Sequence, residues 1–80
     1  MRSGLVVLFP GDDVGEHSTE NCEEIVIVLE GQGEVQITGQ DPIAISKGVA
    51  VYCPPQTEHN VVNTGTEFLR YVYVVAKASR

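Results

Sequence analysis

Turn-forming residues interrupt this chain at intervals of roughly eight to twelve residues, and the segments between them are rich in β-branched and aromatic side chains. The turn signals are Pro10-Gly11, Gly31 to Gly33, Gly39 to Pro42, Lys47-Gly48, Pro54-Pro55 and Thr64-Gly65. No window keeps the period of an amphipathic helix. This spacing predicts an all-β protein, built as a sandwich or barrel of short strands.

Seven segments carry the strand signal. They are Leu5 to Pro10, Glu24 to Glu30, Glu34 to Thr38, Ile43 to Ser46, Val49 to Cys53, His59 to Asn63 and Thr66 to Ala76. The glycines between the second and third segments favour a hairpin turn at Gly31 to Gly33.

Several of these strands are apolar on both faces. In the second segment one face carries Val26 and Val28, while the other carries Ile25, Ile27 and Leu29. A small barrel buries only its inner face, so another layer or subunit should cover the outer one. We therefore expect a homodimer.

The 80 residues are enough for one domain, which we take to be residues 1–80. A chain of this length buries a modest share of its surface, so a metal, disulfides or a partner subunit should support it. Two cysteines, Cys22 and Cys53, do not make a disulfide framework. The apolar run from Leu5 to Phe9 is too short for a signal peptide, and we expect a cytoplasmic location.

The charge balance excludes two classes of partner. The net charge is −6, from eleven acidic residues against five Lys and Arg, and six of the acids fall between Asp12 and Glu24. No basic patch is available to follow a phosphate backbone or to bind an anionic membrane surface. We expect neither nucleic acid nor membrane as a partner.

Three side chains combine into a candidate metal site. Glu24 shares a strand face with Val26 and Val28, and a carboxylate in that position must be protonated, paired or metal-bound. His59 shares its face with Val61, and His17 precedes Glu24 by seven residues. Two imidazoles and one carboxylate suit Fe, Mn, Ni, Cu or Zn better than Mg or Ca. The alternative is that all three lie on a solvated face.

The residues around these ligands form two patterns. The first is G-x5-H-x-T-x4-E-x6-G, which runs from Gly11 to Gly31 and includes Thr19. The second runs from Gly48 to Asn63 and contains Pro54, Gln56 and His59.

Together the two patterns resemble the two conserved motifs of the cupin superfamily, and they cover most of the chain. The resemblance implies a small double-sheet jelly-roll barrel. It also implies one metal ion inside the barrel, at the positions that align with His17, Thr19, Glu24 and His59.

The sequence departs from the cupin pattern at two positions. Thr19 stands where the family usually has a second histidine, and a neutral hydroxyl is a poor ligand, so we expect Thr19 to hydrogen-bond a metal-bound water. Gln56 stands where the family usually has glycine, which puts a positive φ there in doubt.

The resemblance leaves the function open between two classes. One is a metal-dependent enzyme that acts on a small molecule, with an open-sided site of two histidines and one glutamate. The other is a non-catalytic ligand-binding, sensor or structural module with a degraded site. Glu58 is an acid next to His59, and strand alternation points it away.

Two more residues have competing interpretations. Cys22 lies on the Glu24 face, where it is either a core residue or a thiolate ligand. Tyr52 lies within the segment of the second motif, and it either packs or lines the mouth of the site.

Overall fold

The computed structural model describes residues 1–18 and 20–78. Its eight strands, in chain order, are β1 Arg2–Leu8, β2 His17–Ser18, β3 Cys22–Glu30, β4 Gln32–Ile37, β5 Ile43–Ser46, β6 Ala50–Cys53, β7 Glu58–Val62 and β8 Leu69–Lys77. They form two antiparallel four-stranded sheets. One, here called the β1 sheet, has the order β1-β8-β3-β6, and the other, the β2 sheet, has the order β2-β7-β4-β5.

The prediction of an all-β, double-sheet fold is confirmed. After β3 the chain crosses from sheet to sheet at each connection except the β4–β5 hairpin, as a jelly roll requires. Crossing of this kind brings residues that are distant in sequence onto facing inner surfaces.

Two local predictions are corrected. Gly31 to Gly33 is not a hairpin turn, because β3 and β4 belong to different sheets. The chain turns a corner at Gly31, whose φ is +92° and where a Cβ atom would collide with the carbonyl oxygen of Phe68. The short strand β2 was not predicted, since two residues carry no alternation pattern.

The core lies between the two sheets and follows strand alternation. Its most buried side chains come from both layers; they are Val26, Val28, Cys53, Leu69 and Tyr71 from the β1 sheet, and Val35 and Val61 from the β2 sheet. Asn63, at the end of the second motif, closes one end of this core. It donates to the carbonyl oxygens of Leu8 and Glu67, at 3.0 and 2.8 Å, and accepts from the N–H of Gly65 at 2.9 Å.

Residues 1–18 and 20–78 contain no helix with the length and hydropathy that crossing a membrane would require.

Candidate metal centre

Glu24 lies near the start of β3 and points into the space between the sheets. It is 6% exposed, and Val26 and Val28 follow it on the same inner face. Its neighbour across the ladder is Cys53 of β6, which is completely buried. A carboxylate at such a position needs a proton, a cation or strong hydrogen-bond donors, because burial strongly disfavours its unpaired charged form.

His59 approaches Glu24 from the opposite sheet. It lies on β7, is 1% exposed and places Nε2 2.9 Å from Oε1 of Glu24. Its other nitrogen, Nδ1, lies 3.2 Å from the carbonyl oxygen of Thr57. A carbonyl can only accept, so Nδ1 carries the hydrogen and Nε2 faces the carboxylate.

His17 completes the group from the edge of the β2 sheet. Strand β2 pairs with β7 so that His17 is opposite His59, and the two ring centroids are 4.6 Å apart. Nδ1 of His17 donates to the carbonyl oxygen of Gly15 at 3.0 Å, and Nε2 lies 3.8 Å from Oε1 of Glu24. Gly15 in turn donates its N–H to Oδ1 of Asn60 at 2.9 Å, which ties this loop to β7.

The three side chains therefore offer two imidazole nitrogens and one carboxylate oxygen to a common point. These donor atoms all lie within 4.8 Å of one another. Hydrogen bonds from Nδ1 to backbone carbonyls hold metal-bound histidines in the same way, because they leave Nε2 as the ligand. The group could hold a divalent transition metal, and its donor chemistry fits such an ion better than Mg or Ca.

In the metal-free protein, a hydrogen between His59 and Glu24 takes part of the place that a metal ion would have. The hydrogen bond to Glu24 raises the pKa of His59, and the backbone contact with Thr57 adds to this, while burial acts in the opposite direction. With Nδ1 already a donor, the short contact at Nε2 needs a second hydrogen between His59 and Glu24. A metal ion would replace that hydrogen.

Two groups near Glu24 were not assigned to the site from the sequence. Burial, with a smaller contribution from the Glu24 charge, raises the pKa of the Cys53 thiol to about 11. Burial also raises the pKa of Tyr71, and Glu24 adds to this effect. Both side chains stay protonated at neutral pH, so Cys53 lines the centre as a thiol. Strand alternation could have identified Cys53, since it shares an inner face with Val51.

The remaining residues that the sequence singled out lie outside the donor group or outside the described residues. Thr19 lies outside the described residues, so its expected contact with water stays a prediction. Cys22 is half-buried and is not in the group of convergent donors found among residues 1–18 and 20–78. Tyr52 is on the outer face, where it donates to Glu23 at 2.8 Å, so it does not line the site. Glu58 is exposed, as alternation predicted.

Gln56 keeps the positive φ that its identity had put in doubt. Its φ is +54°, and its N–H donates to the carbonyl oxygen of Glu20 at 2.6 Å. Glu20 also has a positive φ, of +58°. This hydrogen bond joins the loop that follows His17 to the loop that precedes His59, and so it holds together the two segments that carry the histidines.

A cleft of about 650 Å³ lies away from this centre. It is lined by Glu30, Gln32, Lys47, Glu67 and Phe68, among others, and it shares no residue with the donor group. Glu30 is six residues beyond Glu24 on β3, about 20 Å away at the rise of an extended strand. The cleft is therefore at the other end of the barrel.

Comparison with known proteins identifies the family. A family model described as a cupin domain matches residues 4–75. The chain belongs to the cupin family.

Two curated relatives match this cupin over part of their own length. The polyketide synthase CurC of Streptomyces cyaneus is 34% identical over 71 residues, which are 88% of this chain and 45% of that protein. The dimethylsulfoniopropionate lyase DddW of Ruegeria pomeroyi is 40% identical over 79 residues, which are 99% of this chain and 50% of that protein. The cupin chain spans about half the length of these two relatives.

Solved cupin structures have the same fold. A predicted oxalate decarboxylase from Thermotoga maritima superposes with a TM-score of 0.88 at 28% identity, over 94% of this chain and 64% of that one. A Cupin 2 conserved barrel domain protein from Salinispora arenicola gives a TM-score of 0.84 at 32% identity, over 95% of this chain and 62% of that one. These similarities confirm the jelly-roll architecture.

The raised pKa of His59 makes a prediction for the metal-free cupin. A histidine whose pKa is higher in the folded state stabilises the fold fully below its unfolded pKa, near 6.5, and this contribution is lost as the pH rises through the folded value. We expect the free energy of unfolding, measured by urea denaturation with chelator present, to fall over that window. His59→Gln should have a flatter profile. Equal slopes for the two proteins above pH 6.5 would contradict the assigned His59–Glu24 contact.

Proposed function

We propose that this cupin holds one divalent transition metal ion through His17, Glu24 and His59, and that the ion binds a small molecule. The observation that carries the proposal is the convergence of two Nε2 atoms on a buried carboxylate oxygen, with both Nδ1 atoms engaged by backbone carbonyls. Fe, Mn, Ni, Cu and Zn all suit this donor set, and the donor set does not select among them.

The site is accessible from one side. The side chain of His17 is 44% exposed, whereas those of Glu24 and His59 are almost fully buried. Three protein ligands leave positions for water or another ligand, as catalytic metal sites do and structural zinc sites do not. When bound, such an ion supplies Lewis-acid polarisation of an oxygen or nitrogen donor. The Nδ1 hydrogen bonds of His17 and His59 fix the orientation of both rings. The rings would thereby fix the direction from which a small molecule approaches the ion.

Two functions are compatible with this site. The relatives with activities in their names, a lyase and a polyketide synthase, support a metal-dependent enzyme that acts on a small organic molecule. The exposed position of Glu58 supports a non-catalytic ligand-binding module instead, because none of the described acids adjacent to the three ligands points inward as a general base. We favour a small-molecule site and keep both functions as candidates.

The sequence and the fold also support a proposed domain count, location and set of partners for this cupin. We take residues 1–80 as a single domain, which is supported by the one core that both sheets share. A cytoplasmic location is supported by Cys53, which is a free thiol. The net charge of −6 supports a small molecule rather than nucleic acid or a membrane as the partner. A second copy of the chain is the proposed protein partner.

Metal content tests the ligand assignment. Protein purified without added metal and then loaded should hold about one equivalent by elemental analysis, and His59→Ala should hold less than about a tenth of that. Glu24→Gln changes the ligand without opening a cavity, so it separates loss of metal from loss of fold. Glu58→Gln, one residue from His59 but exposed, is the matched control and should bind normally. A full equivalent in both His59→Ala and Glu24→Gln would refute the site.

A small-molecule panel separates the two candidate functions. We expect the loaded protein to respond to at least one compound among sugars, keto acids and catechols, and to lose that response with chelator. Turnover identifies an enzyme, and a rise in melting temperature without turnover identifies a binding module. Neither response from fully loaded protein would contradict the small-molecule proposal while leaving the metal site in place.

Thr19 provides a test of the fourth position. Histidine is a far better ligand than a neutral hydroxyl for these metals, so Thr19→His should tighten metal binding about tenfold or more. The measurement is competition with a chelator of known affinity. Unchanged or weaker binding would show that residue 19 does not face the ion.

A further inference from the structure

A second cavity lies at the end of the β1 sheet where β1 and β3 begin and β8 ends. Its volume is about 280 Å³, and it is lined by Met1, Arg2, Asn21, Cys22, Val75 and Lys77. Two of these side chains carry a positive charge and none carries a negative one, although the chain as a whole has a net charge of −6. A pocket of this sign on an acidic protein indicates an anionic ligand.

Strand register places this pocket next to Glu24. Arg2 of β1 and Glu24 of β3 both pair with Val75 of β8, so the three residues form one row across the β1 sheet. Val75 and Glu24 are buried, so the row lies on the inner face, and Arg2 points to the same side because cross-strand neighbours share a face. Two strand spacings of about 4.8 Å separate Arg2 from Glu24, or roughly 10 Å between their Cα atoms.

Lys77 stands in the next row of the same face, nearer the end of the barrel. It pairs with Cys22, which precedes Glu24 by two residues on β3. The N–H of Ala78 donates to the carbonyl oxygen of Asn21 at 2.9 Å, so the hydrogen bonding between these segments continues past Lys77. Both cations are therefore carried by paired strands, which hold a binding group more precisely than loops do.

Neither cation of the pocket has an acidic partner among residues 1–18 and 20–78. The ion pairs formed within those ranges are His17–Glu24, His59–Glu24 and Arg70–Glu30. The contrast is with Lys47, which lines the larger cleft at the other end of the barrel together with the acids Glu30 and Glu67. The charges of Arg2 and Lys77 are therefore available to a ligand.

We propose that Arg2 and Lys77 bind the carboxylate of a small organic acid, while a second oxygen of the same acid occupies an open position on the metal ion. The inference rests on the proposed metal site and adds the chemical class of the small molecule. A guanidinium binds a carboxylate through two parallel hydrogen bonds, and an ammonium adds a compact point charge. A volume of about 280 Å³ lies just below the usual range for ligand pockets, so the acid is small.

Charge also links the binding of the acid to that of the metal. A divalent ion adds positive charge to the donor group of His17, Glu24 and His59, which lies within one or two strand spacings of the pocket. A carboxylic acid is attracted by that charge, so it should bind more tightly to the loaded protein than to the metal-free protein. The coupling is reciprocal, and the acid should therefore tighten metal binding by the same factor.

Calorimetric titration of the metal-loaded protein tests this subsite. The probes are lactate, pyruvate and succinate, each compared with its neutral amide, and wild type should bind at least one acid about tenfold more tightly than the amide. Arg2→Gln and Lys77→Gln should each weaken binding of that acid about fivefold or more, because each removes a charge-assisted hydrogen bond. Both variants should keep the affinity for the amide and a full equivalent of metal by elemental analysis. Lys47→Gln removes the same charge at the other end of the barrel and should bind the acid as wild type does.

The contrary results separate this inference from the proposed function. Wild-type protein that holds no metal after loading would overturn both. Fully loaded protein that binds none of the acids at about 10 mM would overturn the subsite alone. So would an acid affinity that Arg2→Gln and Lys77→Gln leave unchanged, or one that Lys47→Gln lowers equally, since general charge attraction would then account for the binding. Arg2→Lys loses the paired hydrogen bonds and keeps the charge, and it replaces Arg2→Gln if circular dichroism shows that variant to be unfolded.

Discussion

The contact between Oε1 of Glu24 and Nε2 of His59 is the interaction around which this barrel is arranged. It joins the two sheets across the core at 2.9 Å, and the described part of the chain offers Glu24 no Lys or Arg partner. A carboxylate in that position would be strongly destabilising without a proton or a cation. A proton shared with His59 and the proposed metal ion are therefore two ways of meeting one electrostatic requirement, and the histidines would serve in both.

Strand alternation provides this arrangement and also explains the rest of the molecule. From Glu24 to Val28 the even-numbered residues of β3 point inward, while Ile25 and Ile27 between them point outward. The same nine-residue strand thus carries a proposed metal ligand on its inner face and apolar side chains on its outer one. A monomeric barrel needs only the buried inner face, so the metal site does not account for the exposed apolar side chains on the outer face.

The sequence could predict those features that depend on the alternation of side chains along a strand and on short spacings between residues. The inward positions of Glu24 and His59 and the bounds of Ile43–Ser46 follow from local patterns, and the structure agrees with them. Features that depend on distant partners could not be read in this way. The corner at Gly31 looks like a hairpin because local glycines do not show which sheet the next strand joins. The positive φ of Gln56 depends on a hydrogen bond to Glu20, thirty-six residues away (56 − 20).

Strand β3 takes part in the proposed metal site through its inner face and in the proposed homodimer through its outer face. In the proposed dimer the outer side of this strand is covered, so Glu24 lies in a layer from which water is excluded on both faces. Excluding water lowers the local dielectric and strengthens every charge interaction there, which raises both the cost of an unpaired carboxylate and the benefit of a nearby cation. Dimerisation would therefore increase the difference in stability between the metal-bound and metal-free forms. A barrel of 80 residues would gain support from both the metal ion and the second subunit.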